Sequence, residues 1–255
     1  MANEGKLKDS WVAGIHSVRE LLRQHPDAVL QLHVLSGRQD ARIEELTQLA
    51  AGAGIRVEPL SRRALDDLVG GRHQGVAARI SLPDTSKTEA DLRSLLDALD
   101  HDPLLLVLDE VSDPHNLGAC LRSAEAAGVD AVIVPKDRSA PLNLTVRKVA
   151  SGAAETVPLV VVTNLSRTLQ DLQQRGIWLC GAAGEADKTL YQQDLTGPLA
   201  LLMGSEGRGL RRLTRETCDY LVAIPMAGAV SSLNVSVATG VCLFEAVRQR
   251  RKLSD

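Results

Sequence analysis

Apolar positions along the chain follow two different rhythms. In the first eighty residues the runs are short. Val18, Leu21 and Leu22 share one face of a helix over residues 16–23, and residues 29–35 read as a strand. Ile43, Leu46 and Leu49 recur at helical spacing over residues 42–50, residues 55–58 are short and extended, Ser61 caps a helix running to Val69, and residues 76–80 close the region as a strand. From residue 103 the runs lengthen. Residues 104–108 are apolar without a break, as in a strand buried on both faces. Helices are predicted over 116–127, 142–150, 165–175 and 210–217, with strands at 131–134, 157–162, 177–180 and 199–203. A last apolar run, 220–224, stops at Pro225, and Val237, Val241, Phe244 and Val247 mark a helix over 235–247. Alternation of this kind predicts an α/β fold with a mostly parallel sheet covered on both faces, preceded by a small α/β unit.

The stretch between the two rhythms is turn-rich from Pro83 to Thr88 and then acidic, with six acidic residues against two basic ones over 83–102. It reads as a boundary, giving a small domain over 1–82, a linker over 83–102 and a larger domain over 103–255.

Composition narrows the function. The chain has 255 residues, is 44% hydrophobic, and contains two Trp, two Tyr and one Phe, so its core must be aliphatic. That scarcity argues against base-stacking platforms as the main mode of nucleic-acid binding. Net charge is −3, from 29 basic and 32 acidic residues, so any contact with nucleic acid must use local clusters. Lys136 with Arg138, Arg147 with Lys148, and Arg208 with Arg211, Arg212 and Arg215 are such clusters, with Arg72 and His73 in the small domain. Each has a plainer reading as a solvated face. No apolar run approaches the length of a membrane span, and residues 1–9 are polar without a signal-peptide core. Cys120, Cys180, Cys218 and Cys242 form no C-x-x-C pair and have no His clustered with them, which points to reduced thiols, a cytoplasmic setting and no zinc.

Three loops follow predicted strands, where open α/β sheets bind ligands. The first runs from Asp109 to Gly118 and leads into Arg122; Asn116 and Arg122 are six apart, so a bent first turn would let both reach one pocket. The second, 203–210, holds three glycines in six residues as G-x-x-G-x-G and contains Glu206. That spacing is neither a dinucleotide fingerprint nor a P-loop, which argues against a nucleotide-dependent oxidoreductase. The third, 224–240, crowds Ser231, Ser232 and Asn234 at the start of the last helix, where free N–H groups and the positive dipole end gather. One cap explains part of this run; its density exceeds what a cap requires. Gly181-Ala182-Ala183-Gly184 reads as a turn, and Gly70–Gly75 equally as a connector or a ligand contact.

Taken together, Asp113-Pro114-His115-Asn116-Leu117-Gly118-Ala119-Cys120-Leu121-Arg122, the glycine loop and Ser231-Ser232-Leu233-Asn234-Val235-Ser236-Val237-Ala238 resemble the three motifs of the SpoU (TrmH-like) RNA 2′-O-ribose methyltransferases of the SPOUT superfamily. Gly14-Ile15-His16 and His73-Gln74-Gly75 are similar to the small N-terminal domain of the branch that methylates a guanosine ribose of 23S rRNA, in the peptidyl-transferase-centre P loop. The resemblance implies a trefoil-knotted catalytic domain, a ribosomal-protein-like N-terminal domain that helps select RNA, a homodimer with active sites at the subunit interface, and S-adenosylmethionine as cofactor. It implies catalytic or substrate roles for Asn116, Arg122, Glu206, Ser232 and Asn234, and cofactor contacts at Met203, Gly204, Ile224, Met226 and Leu233. RNA contacts fall to Arg72, His73, Arg122, Arg147 and Arg208. No metal is needed, because a sulfonium already carries the leaving group, and no DNA or membrane partner is implied. A tRNA 2′-O-methyltransferase and a non-catalytic rRNA-binding assembly protein are the alternatives. Family likeness puts Arg122 at the position of the base, yet an arginine stays protonated in proteins. Its expected part is therefore chiefly to bind phosphate and steady the developing alkoxide, with direct proton abstraction secondary.

Overall fold

The structure, a computed structural model, describes residues 7–70 and 72–251. The polar stretch 1–6 and Gly71 of the glycine-rich loop lie outside them. The chain divides into two compact units, Met1–Asp84 and Thr85–Asp255.

The first unit is a four-stranded sheet in the order β1-β4-β2-β3, built from β1 (Leu7–Ala13), β2 (Val29–Leu35), β3 (Arg56–Leu60) and β4 (Val76–Pro83). β4 pairs antiparallel with both β1 and β2, and β3 runs parallel to β2 at the edge, where Pro59 costs no ladder bond. Helices α1 (Ile15–Gln24), α2 (Ala41–Gly52) and α3 (Arg62–Val69) cover it. Their apolar stripes are buried at Ile15, Val18, Leu21, Leu22, Ile43, Leu46 and Leu65. The Ser61 hydroxyl accepts from the Ala64 N–H, so it caps α3 as its sequence predicts. β1 was not expected: its residues carry too little alternation, and the long pairing with β4 is what makes it a strand.

The loop before β4 also has a clear part. Gln74, at φ +51°, accepts the Ile15 N–H on Oε1 at 3.1 Å and so caps α1. His73 takes the Gly75 N–H on Nδ1 at 2.9 Å and bonds Asp66 through Nε2 at 3.1 Å. The Gly14 and His73-Gln74-Gly75 motifs thus interlock as architecture.

The second unit is a six-stranded sheet, every pair parallel, in the order β10-β8-β9-β5-β6-β7. Its strands are β5 (Leu104–Asp109), β6 (Ala131–Pro135), β7 (Leu159–Val162), β8 (Trp178–Ala182), β9 (Leu199–Gly204) and β10 (Tyr220–Val222). On β5, Leu104, Leu106 and Leu108 join one aliphatic cluster with α5 (Pro114–Ala126), α6 (Leu144–Ala150), α7 (Ala153–Thr156) and α10 (Val235–Arg251). Leu105 and Val107 join another with α4 (Glu89–Ala98) and α8 (Leu165–Gln174). The short α9 (Arg212–Thr217) precedes β10. The unbroken apolar run of β5 is thus the signature of a strand with helices on both sides.

Residues 85–102 belong to this second unit. Within the stretch read as a linker, α4 buries Leu92, and Glu89 accepts the Thr163 N–H at 2.7 Å and its hydroxyl at 2.9 Å. The acidic composition that suggested a linker is the solvent face and first turn of a packed helix.

Candidate active site

β5 and β9 are neighbours, but the chain leaves them in opposite directions, towards β6 and β7 on one side and next to β8 and β10 on the other. This is a topological switch point, and the carboxyl ends of its strands are where a crevice opens. Asp109 and Gly204 face each other as the last ladder pair. After Asp109 the chain turns through Glu110 at φ +64°, and Asp113 caps α5 with Pro114 at its first position. That start buries Asn116 to 9% exposure in the first turn.

After Gly204 the glycine loop closes on itself: Ser205 and Gly209 exchange both backbone hydrogen bonds, at 3.1 and 2.9 Å. A Cβ on Gly204 would sit 2.0 Å from the Gly209 carbonyl carbon, so only glycine fits beneath the returning strand of the loop. Beside it lies a pocket of about 320 Å³, lined by Met203, Gly204, Ile224, Met226, Ser232 and Leu233 among others. The volume is in the range of small-molecule sites. All five positions expected to hold a cofactor line it. So do Arg208 and a wall from Ala182, at the end of β8, to Glu185, which overlaps the turn that the sequence suggests over Gly181–Gly184. Glu185 pairs there with Arg215, also in the lining.

Three loops far apart in sequence meet at this pocket through hydrogen bonds. The Ser236 hydroxyl and N–H both donate to Asn234 Oδ1, at 2.6 and 2.9 Å. Asn234 Nδ2 donates to Asn116 Oδ1 at 3.0 Å, and Asn116 Nδ2 donates to Glu206 Oε2 at 3.4 Å. The saturated Asn234 oxygen fixes the orientation of its amide, which fixes that of Asn116, and the chain of donors ends on a carboxylate. Glu206 and Asn234 each lie between sequence neighbours that line the pocket. Ser236 lies in the third motif but has no role of its own in the sequence, because a serine in a first helical turn reads as a cap.

A family model described as the SpoU rRNA Methylase family matches residues 103–244, and one described as RNA 2′-O ribose methyltransferase substrate binding matches residues 11–86. The chain belongs to the SpoU rRNA methylase family. Among curated relatives, the 23S rRNA (guanosine-2′-O-)-methyltransferase RlmB of Pseudomonas aeruginosa is 63% identical over 242 residues, covering 95% of this chain and 97% of that relative. The enzyme of the same name from Escherichia coli K12 is 58% identical over 240 residues, covering 94% and 98%. Among solved structures, the SpoU methyltransferase AviRb from Streptomyces viridochromogenes, in complex with the cofactor AdoMet, superposes with a TM-score of 0.60 at 26% identity, covering 97% of this chain and 92% of AviRb.

Within this SpoU chain, Asn116, Glu206 and Asn234 are joined directly and Ser232 lines the adjoining pocket, but Arg122 stands apart. α5 is helical from Pro114 to Ala126 without a break, so the bent first turn expected to bring Asn116 and Arg122 into one pocket is not formed. Six residues put them roughly 120° apart around the axis. Arg122 is exposed and has no hydrogen-bond or ion-pair partner among the described residues. Two expected RNA contacts are also corrected. His73 is 4% exposed with both ring nitrogens engaged. The Arg147 side chain is 13% exposed, held by Glu155 and by the Thr85 hydroxyl. In the other basic clusters Arg138 pairs with Glu110, Arg211 with Asp109 and Arg212 with Glu216. Arg72, Lys136 and Arg208 are exposed. Burial pushes the thiols of Cys180, Cys218 and Cys242 up to about 12, which keeps them protonated. Among the described residues there is no group of three or more His, Cys, Asp or Glu placed to hold a metal ion, and no helix long and apolar enough to cross a membrane.

Proposed function

We propose that the chain transfers a methyl group from S-adenosylmethionine to the ribose 2′-hydroxyl of a guanosine in 23S rRNA, acting as a cytoplasmic homodimer. The observation that carries this reading is the donor relay from Ser236 through Asn234 and Asn116 to Glu206 at the edge of the pocket. The names of the relatives, which match almost end to end, support the substrate, and the N-terminal match supports RNA as its class.

The residues present fit the cofactor. Met203, Ile224 and Leu233 offer apolar surface to an adenine face, the glycine loop offers backbone at close range, and the missing Cβ of Gly204 lets residues 209–210 pack tightly at the pocket's edge. When bound, the cofactor supplies an electrophilic methyl group on a sulfonium. The chain's task is then to place the ribose oxygen in line and favour loss of its proton, and positioning contributes a large share of such a rate. Glu206, oriented by Asn116, accepts from the ribose hydroxyls; Ser232 and Asn234 hold the sugar and cofactor edges. Arg208 and Arg72 meet RNA phosphates.

Arg122 works in this reading from the second copy of the chain, binding phosphate and stabilising the developing alkoxide. Support comes from α10, where Val237 and Phe244 are 53% and 50% exposed on one stripe with Val241, an apolar face suited to a partner subunit. Arg122→Lys keeps the charge and should retain appreciable single-turnover activity, whereas Arg122→Ala should lose it; equal loss in both would count against a charge-only part. The function itself is tested by mapping ribose methylation in ribosomal RNA from a deletion strain. One guanosine of 23S rRNA should lose its mark, and an unchanged map would defeat the proposal.

A further inference from the structure

Asp109 is completely buried and lies outside the relay from Ser236 to Glu206. It holds both ends of the glycine loop. Its backbone pairs with Gly204, where the loop leaves β9. Its carboxylate accepts the Arg211 N–H on Oδ2 at 3.0 Å and the Arg211 Nε–H on Oδ1 at 2.7 Å, where the loop ends. A buried carboxylate is tolerated only when paired and hydrogen-bonded, and here both oxygens are engaged. The Arg211 guanidinium also lies 3.5 Å from Glu110, which accepts from Arg138 at 2.9 Å. Glu110 is the residue held at φ +64°, a conformation that persists when its surroundings over-determine it. Between the two anchored ends, Ser205, Gly207, Arg208, Gly209 and Leu210 line the pocket, and Glu206 carries the end of the donor relay.

We propose that Asp109 is a positioning residue for cofactor binding: it clamps the loop 204–211 into its binding shape by joining the strand that leads to Asn116 to the residue that closes the loop. This rests on the reading of the pocket as the S-adenosylmethionine site. The Ser205–Gly209 bridge gives the loop its internal shape, and the Asp109–Arg211 contact fixes where that shape stands relative to Ile224 and Leu233 on the other wall.

The test uses the full-length protein, S-adenosylmethionine titrations by calorimetry, and limited trypsin digestion without ligand. Asp109→Asn keeps the size of the side chain and loses its charge; Arg211→Ala keeps the backbone bond and loses the guanidinium. Asp109→Asn should weaken cofactor binding at least about tenfold, Arg211→Ala by less, and the double variant no more than Asp109→Asn alone, because both remove one contact. Cleavage after Arg208 should accelerate in each, while trypsin sites outside residues 204–215 are cut at the wild-type rate, which a general loss of stability would not produce. A folded Asp109→Asn protein that binds the cofactor like wild type and is cleaved no faster overturns the inference. Should Asp109→Asn fail to fold, Arg211→Ala decides alone: unchanged affinity and cleavage overturn the clamp. Wild-type protein that gives no heat with S-adenosylmethionine overturns the pocket reading, and the inference with it.

Discussion

At Gly204 the space available decides the residue. A methyl group there would lie 2.0 Å from backbone of the same loop, and backbone cannot move aside as the end of a flexible side chain can. Gly204→Ala must therefore lift the segment 209–210 off β9. Overpacking of this kind costs about 1–3 kcal/mol, which translates into cofactor binding about fivefold to 150-fold weaker. Calorimetry on the variant checks this, and affinity equal to wild type would refute it. Ser236 is the milder case. Ser236→Ala leaves Asn234 Oδ1 one of its two donors, and a hydrogen bond is worth about 1 kcal/mol, so kcat should fall about fivefold. Ser236→Thr should restore it; a variant whose threonine form is as slow as its alanine form would point to the backbone instead. Asn116, Glu206 and Asn234 stand out in the sequence through the motifs that resemble the family; position alone reads Glu206 and Asn234 as caps, and Asn234 does accept the Ser236 N–H at the start of α10. The role of Ser236 was not legible, since a hydroxyl two residues after an asparagine is common in helix starts and only the fold shows that it reaches Asn234 Oδ1.

Elements were legible where burial is one-sided or total. The six residues of β5 are all buried, and its first five form an apolar run too short for a helix, bounded by Pro103 and Asp109, which marks it as a strand buried on both faces. β1 and α4 show the opposite. β1 is a strand because β4 offers it seven partners, information that lies seventy residues away in the chain. α4 is a capping-box helix whose Thr88 and Asp91 bond each other's backbone N–H, yet its acidic face masked the packing of Leu92. Its attachment has a pH signature. Hydrogen bonds from the Thr163 backbone and hydroxyl hold the Glu89 carboxyl below its ordinary value of 4.5. A carboxyl depressed in the folded state contributes stability above its unfolded pKa and loses it as pH falls through the folded one. Melting temperature should thus fall between about pH 5 and pH 3 more steeply in wild type than in Glu89→Gln. Parallel curves would show that the contact adds nothing. At the far end of the unit, Arg250 donates to the carbonyls of Leu195, Asp102, Pro103 and Gly197, locking the last turn of α10 beneath β5 and β9. Arg250→Ala should destabilise this unit by roughly 2 kcal/mol in denaturant titrations, since bonds to a charged donor are lost and carbonyls are left bare.

For the molecule as a whole, the few aromatic residues carry information through where they are not. The core is aliphatic, while Trp178, Tyr191 and Phe244 are each about half exposed. Phe244 with Val237 gives α10 an apolar face that nothing in the chain covers among the described residues. If that face joins two copies, Val237→Asp combined with Phe244→Asp should sediment as a monomer. It should also lose methylation activity by at least about a hundredfold, because a single copy leaves Arg122 on the wrong side of α5 from Asn116. A monomer with full activity would refute the shared site.

Periodicity and composition alone determined the alternation of strands and helices, the aliphatic character of the core and the three polar loops, because each depends on residues close together in the chain. The tertiary structure decided which strands are neighbours, that Ala182 to Glu185 form a wall of the pocket, that Arg147 and His73 are spent on structure, and that Asp109 reaches Arg211. Those contacts join residues as much as a hundred positions apart, and nothing in a local pattern of side chains records which distant partner will meet them.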